Sequence, residues 1–269
     1  MQYEPIKKRL GKFFSGPLFM RKFLYFLMDL ILLRAWHIRR ALRKVKTEYE
    51  GHINILDAGS GLGQYSWRLS RMNKNWRIEG IDINAEQVEE CSRFFKKAGL
   101  AERTSFSCVD LTGFSNPDKY SLILCVDVME HIKDDEKVFR NFSTSLKKNG
   151  ILLISTPSDK GGSGVDSHDD KSFIDEHVRN GYGTDEIREK LANAGFGNTE
   201  VSFTYGWPGS ISWHLSMKYP VKMLNISYLF FLILPFYYLI TFPFSIILNI
   251  FDVSLKHKYG TGLLVTARK

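Results

Sequence analysis

Three stretches of this chain carry residues whose types and spacing could do chemistry. The run ILDAGSGLG, residues 55–63, sets the acid Asp57 near the end of an apolar stretch and follows it with Gly59, Gly61 and Gly63. Glycines let a backbone turn sharply and approach a ligand that a Cβ would block. Two later strand-like stretches, 77–83 and 104–109, run out to Asp82 and Asp110. Carboxylates at strand ends can accept hydrogen bonds from a ribose diol or an adenine amino group held in the crevice beyond a sheet. The pattern is not GxGxxG, because position 64 is Gln64, and this disfavours a dinucleotide pyrophosphate pocket.

The third stretch is Asp127-Val128-Met129-Glu130-His131, directly after the apolar run 121–126. An imidazole with an ordinary pKa of about 6.5 is a competent base near neutral pH. His131 is therefore the leading catalytic candidate, with Glu130 beside it, and organising the loop is the competing reading for both. Asp127, Glu130 and His131 would share a face if a helix began early, but no metal is assigned to them. His168, Asp169 and Asp170 fall in a polar, glycine-rich stretch, 158–172, and read as solvated.

Elements that alternate between strand and helix must position these groups. Residues 53–58, 77–83, 104–109, 121–126, 151–155, 200–204 and 262–267 read as strands. Residues 64–73 and 85–98 read as helices, the second closed by Gly99. Another should start at Asp134 and Asp135 and end at residues 147–150, with acid first and base and glycine last. Thr184 should cap a further helix, with Gly195 past its end. The pattern predicts an α/β chain with a doubly wound, seven-stranded, mostly parallel sheet. Cys91, Cys108 and Cys125 are odd in number and lack paired spacing. This argues against a disulfide scaffold or a zinc site, and each is expected as a small buried core residue.

In these motifs and their order, over roughly 53–204 plus the last strand, the sequence resembles the class I S-adenosylmethionine-dependent methyltransferases. The likeness is to the small-molecule branch that includes the ubiquinone and menaquinone enzymes. It implies a Rossmann-like methyltransferase fold with S-adenosyl-L-methionine as cofactor. Asp57 and Gly59, Ser60, Gly61 and Gly63 would hold the methionine end, and Asp82 the ribose hydroxyls. Ile83 and Leu111 would flank the adenine, Asp110 would meet its amino group, and the backbone near Val126 would bind the methionine part. Substrate would meet the methyl group beside His131, and His177 would lie in the substrate-covering segment as a second candidate for base or substrate contact.

Two segments stand outside that rhythm. Residues 1–46 hold twelve Lys or Arg against Glu4 and Asp29, a net +10, so the rest of the chain carries −2 of the overall +8. Within this arm the apolar stretch 23–33 contains Asp29 and is followed by basic residues, which disfavours a secretory signal. Ala35, Ile38, Leu42 and Val45 share one helical face, with Arg39, Arg40, Arg43, Lys44 and Lys46 on the others. The second segment, 224–251, has twenty-eight residues without a charge, interrupted by Pro235 and Pro243. Two crossings of a bilayer need about forty helical residues, so a hairpin or kinked helix lying in the membrane interface is expected, with the prolines as breaks. An apolar cover over the active site or a dimer interface is the alternative.

The expected organisation is a basic helical arm (1–50), a methyltransferase core (51–206), an apolar insertion (207–257) and a last core strand (258–269). The expected partners are a lipophilic small-molecule substrate and an anionic membrane surface, at the cytoplasmic face. Nucleic acid is disfavoured, because the basic residues are interleaved with apolar runs that need burial. The expected reaction is O-methylation of a quinone precursor, phenolic or polyene-type lipid. N-methylation of a lipid amine, or a cofactor-binding membrane subunit without catalysis, are the alternatives.

Overall fold

The computed structural model describes residues 17–161 and 178–269. Its strands are β1 (Asn54–Ala58), β2 (Arg77–Asp82), β3 (Thr104–Cys108), β4 (Tyr120–Val126), β5 (Leu146–Pro157), β6 (Thr199–Thr204) and β7 (Gly262–Arg268). They form one sheet in the order β3-β2-β1-β4-β5-β7-β6, with β1 to β5 paired in parallel and β7 antiparallel to both its neighbours. The α/β architecture with a mostly parallel, seven-stranded sheet is thus the one the sequence pattern implies. In β4 every residue but the last is buried, as a central strand covered on both faces requires. Strand order reverses between β1 and β4, and at such a point the loops after the two strands diverge and leave a crevice.

Helices α1 (Leu18–Ile31), α2 (Leu33–Glu48), α3 (Gln64–Met72), α4 (Ala85–Lys97), α5 (Asp135–Ser145) and α6 (Thr184–Asn193) cover the sheet. Ile38, Leu42 and Val45 of α2 join Tyr65 and Leu69 of α3 in one core cluster. Val138, Phe139 and Phe142 of α5 join Ile187 and Leu191 of α6 in the other. Helix α1 sets Tyr25 edge-on to Phe94 of α4, with ring centroids 5.4 Å apart. The arm therefore belongs to the packed body: its apolar stripe is buried as expected, but Arg21 is buried with it rather than facing outward. Arg39, Arg40, Arg43, Lys44 and Lys46 remain exposed.

Four expectations need correction. Helix α5 stops at Ser145, and residues 147–150 belong to β5, whose register with β4 shifts between Tyr120 and Leu122. Its last turn accordingly has no basic residue. The residue before α6 is Gly183, not Thr184, and its N–H donates to Glu186 Oε2 at 3.3 Å. Cys91 and Cys125 are buried, but Cys108 is exposed. It closes an edge strand, with no further strand beyond β3 to cover it.

The fourth correction concerns the insertion, a helical hairpin between β6 and β7. Helix α7 (Trp207–Trp213), a π-helical turn (His214–Lys218) and α8 (Tyr219–Ile226) make one limb; a 3₁₀ turn (Tyr228–Leu232) leads to α9 (Leu234–Ser254), the other. Pro235 stands in the first turn of α9, where its missing N–H costs nothing, and the helix continues through Pro243. Pro235 thus marks where the helix restarts after the break at 228–232, as expected, whereas Pro243 is not a break. Tyr237 donates its hydroxyl to the Leu215 carbonyl at 2.7 Å, Tyr238 to Ser216 at 2.8 Å, and Ser212 to Ser245 at 3.2 Å. Helix α9 is long and apolar enough to cross a membrane by length and composition, with mean hydropathy 1.7 over an 18-residue window of which 11% is buried. Phe236, Leu239, Ile240, Phe244, Ile247 and Ile250 stand exposed along it.

Candidate active site

The turn after β1 is built by contacts that leave little choice of residue. At Gly59, φ is +75° and a Cβ would come 2.2 Å from Val128 Cγ2; at Gly63, φ is +79° and a Cβ would meet Cys91 Sγ at 3.0 Å. Both need glycine, for conformation and for space. At Gly61 the nearest atom to an added Cβ is Gln87 Oε1, 3.7 Å away, so this side of the turn is open. The amides of Gly59 and Ser60 donate to the Ile81 carbonyl at 2.8 and 2.9 Å, locking the turn against β2.

Three carboxylates surround this turn. Asp57 is fully buried and accepts from Ser66 Oγ at 2.6 Å; burial pushes its pKa up to about 6 in spite of that bond. Asp82 accepts from the Gly61 amide at 2.8 Å and from the Asn84 amide at 2.9 Å, and each carboxylate oxygen keeps a free lone pair. Ile83 beside it is 73% exposed. Asp110 is exposed and accepts from the Thr112 amide at 2.8 Å, while Leu111 packs into the core with Phe114. The side chains expected to share a ligand thus lie at the ends of β1, β2 and β3, and Val126 ends β4 in the same row.

The N-terminal arm clamps the turn from above. The Tyr25 hydroxyl and the Arg21 guanidinium both donate to the Leu62 carbonyl, at 2.6 and 2.9 Å. Gln64 donates to Asp29 at 2.8 Å, and Arg68 pairs with Asp29. Arg34 forms an ion pair with Asp127, and its amide donates to the Tyr205 hydroxyl at 3.0 Å. Asp127 has φ of +52°, a left-handed backbone that Asp tolerates better than most residues. None of these arm residues was singled out as functional from the sequence. The signal was there: charged residues, Asp29 and Arg34, inside or beside an apolar run mark a helix whose charges are paired inward.

After β4, residues Met129–His131 form a 3₁₀ turn. Glu130 is buried, accepts from Thr156 Oγ1 at 3.2 Å, and is pushed up by burial to about 7. His131 is exposed at the end of the turn, its amide donating to the Val128 carbonyl at 3.0 Å. Among the described residues no three His, Cys, Asp or Glu side chains gather as a metal site. His177, His168, Asp169 and Asp170 lie outside the described residues.

The residues present fit an S-adenosylmethionine molecule. Among the described residues, Ser60 Oγ and Tyr65 OH are buried polar atoms without a hydrogen-bond partner, and buried groups of this kind ordinarily have one. The buried Asp57 carboxylate, among the described residues, hydrogen-bonds to Ser66 and to no cation, which suits it to an amine. The open side of Gly61 leaves room beside Asp82 for a ligand.

Comparison with known proteins agrees. Residues 50–195 match the family model described as a methyltransferase domain. The chain is 29% identical over 130 residues to the ubiquinone biosynthesis O-methyltransferase of Rickettsia prowazekii, an alignment covering 47% of this chain and 50% of that protein. It is also 29% identical over 105 residues to (S)-coclaurine N-methyltransferase of Thalictrum flavum, covering 39% of this chain and 28% of that one. The chain thus spans about half, or less, of the length of these relatives. In fold, it superposes on phosphoethanolamine N-methyltransferase 2 of Haemonchus contortus, solved with S-adenosyl-L-methionine, at TM-score 0.63 and 18% identity, over 87% of this chain and 52% of that one. With its glycine turn, its row of strand-end acids and a family match over more than half its length, the chain belongs to the methyltransferase-domain family of class I S-adenosylmethionine-dependent methyltransferases.

Proposed function

We propose that the chain methylates a lipophilic small molecule at the cytoplasmic face of a membrane, with a quinone precursor, a phenolic or a polyene-type lipid as the acceptor oxygen's source. One observation carries the lipophilic part of this reading. The exposed apolar hairpin is rooted at the substrate end of β4: Arg34, paired with Asp127, bonds Tyr205, whose amide donates to Asp252 of α9 at 3.2 Å. An acceptor leaving the hairpin's apolar surface would arrive at that end.

In this reading Asp57 and the Gly59–Gly63 turn, with Ser60, receive the methionine end; Asp82 takes the ribose hydroxyls; Ile83, Asp110 and Leu111 border the adenine; and the Val126 backbone meets the methionine part. Bound there, S-adenosylmethionine supplies an electrophilic methyl group. The chain's work is to align the acceptor in line with that group and to keep water out. His131 removes the acceptor's proton. Glu130, held inside against Thr156, fixes the turn that presents His131 and is a positioning residue.

Incubation with methyl-labelled cofactor and a total lipid extract tests the reading. Label should pass into the organic phase. Label that stays entirely with the cofactor, while the cofactor binds, overturns it. Similarity to the coclaurine enzyme supports N-methylation of a lipid amine as a second reading. A labelled product that moves into acidic water on back-extraction would decide for the amine.

A further inference from the structure

At the foot of the hairpin a cleft of about 350 Å³ is lined by Trp207, Leu255, Lys256, His257, Lys258 and Tyr259. None of these residues has a part in the methyl-transfer site described above. The cleft has a defined floor. The His257 ring turns inward and stands 3.1 Å from Asp252 Oδ1, with Nε2 also 2.8 Å from the Asp252 carbonyl oxygen. His257 pairs as an isolated antiparallel bridge with Phe203. Lys256 and Lys258 flank the buried imidazole in the chain, both line the cleft, and both are exposed. Among the described residues neither lysine pairs with a carboxylate. Trp207 and Tyr259 are 67% and 73% exposed beside them.

We infer that this cleft holds the phosphate of an anionic phospholipid in the leaflet on which the hairpin rests. The inference builds on the membrane reading above and adds a defined headgroup site to it. Two lysines that line one cleft without a carboxylate partner among the described residues suit a phosphate diester, to which lysine acts as a point charge. Amphipathic Trp and Tyr rings favour the depth at which headgroups meet acyl chains. The exposed apolar row of α9 ends at this cleft, with Ile250, Phe251 and Leu255 leading into it, so one lipid can set its phosphate on the lysines and its chains along the helix. A soluble phosphate would satisfy the lysines but would leave that row bare.

The test compares two double variants that remove equal charge. In Lys256→Gln/Lys258→Gln the cleft is altered. In Lys44→Gln/Lys46→Gln two exposed lysines of α2 are altered instead. Binding of the full chain is measured on phosphatidylcholine vesicles with and without phosphatidylglycerol, and calorimetry with S-adenosylhomocysteine checks that both variants stay folded. The cleft variant should lose about tenfold or more of its affinity for the anionic vesicles, on the order of the contribution of two lysines near a charged leaflet, and the control variant several-fold less. Equal losses would reduce the cleft to part of a diffuse charge and overturn the site while leaving membrane binding intact. A wild type that binds neither vesicle overturns the membrane reading itself. Saturable binding of inorganic phosphate at the cleft, with no difference between the variants on vesicles, would assign it to a soluble anion and overturn the lipid assignment.

Discussion

His37 Nε2 stands 2.8 Å from Asp252 Oδ2, and this contact ties the N-terminal arm to the hairpin. Asp252 is fully buried and also accepts from the amides of Gly209, at 3.0 Å, and Tyr205, at 3.2 Å. Burial alone would raise its pKa; the bond to His37, the charges of His37 and His257 and the Gly209 amide outweigh it and hold the carboxyl below its usual value. One side chain thus joins arm, hairpin and the approach to β7.

Replacing Asp252 should therefore cost far more than a typical substitution. Asp252→Ala leaves two imidazoles and two amides facing a buried void, a loss on the order of 3–5 kcal/mol, read as a lower midpoint in urea unfolding. A carboxyl whose pKa is lowered on folding contributes stability above its unfolded value, about 3.9, and loses it as pH falls through the folded value. The gap between wild type and Asp252→Asn should accordingly narrow below about pH 4. A gap that widens there would refute the assignment.

Much of this was legible in the chain itself, for physical reasons. Central β4 announces itself as an unbroken apolar run from Leu122 to Val126, because a strand buried on both faces tolerates little that is polar. Strand β2 and edge strand β3 carry Arg77, Glu79, Ser105 and Ser107 and were legible chiefly from the acids Asp82 and Asp110 that close them. What escaped were contacts set by tertiary geometry. Asp29 and Arg34 look like charges misplaced in an apolar stretch until α1 and α2 fold back over the glycine turn and pair them with Arg68 and Asp127. Residues 147–150 carry helix-ending signals, yet β5 claims them because Leu146 pairs with Tyr120 across a shifted register. Pro243 reads as a breaker, but packing of α9 against α7 keeps the helix continuous around it.

Asp57 makes the second prediction. Its pKa is raised on folding to about 6 by burial, so the folded chain holds that proton longer than the unfolded one, and stability falls as pH rises from about 4 to about 6. A shift of about two units corresponds to roughly 3 kcal/mol at neutral pH. Asp57→Asn, which can still accept from Ser66, should flatten this fall in the ligand-free protein. If Asp57 faces the cofactor's ammonium group, binding stabilises the ionised form, and cofactor affinity should rise over the same pH window in wild type and stay level in the variant. Calorimetry at a series of pH values reads both.

The open side of Gly61 and the two amides on Asp82 lead to a third. Gly61→Arg puts a long side chain where the turn is open and forces a residue with Cβ into φ of +50°, so S-adenosylhomocysteine binding should vanish. Asp82→Ala removes the carboxylate proposed to accept from the ribose hydroxyls and also frees the Gly61 amide, a loss of about 1.5–3 kcal/mol, or some ten- to a hundredfold in affinity. Unchanged titrations for both variants would remove the cofactor from this crevice.

His131 and Glu130 separate by their surroundings, and their variants should separate too. His131 is exposed where the acceptor would arrive, so His131→Ala should lower turnover by roughly 10²–10⁴-fold with little change in cofactor affinity, the range for loss of a general base. Glu130 is buried and bonded to Thr156. Glu130→Gln keeps an acceptor for Thr156 and should keep turnover within a few-fold of wild type. Glu130→Ala leaves the Thr156 hydroxyl unpaired in the interior and should lower both turnover and thermal stability, at a cost of about 1–3 kcal/mol. Stopped-assay turnover at several pH values distinguishes the roles. In wild type the rate should climb with pH as the general base becomes available, and that limb should be absent from His131→Ala. If the limb persists in His131→Ala and disappears in Glu130→Gln instead, the proton is taken by Glu130, and His131 is the residue that merely shapes the turn.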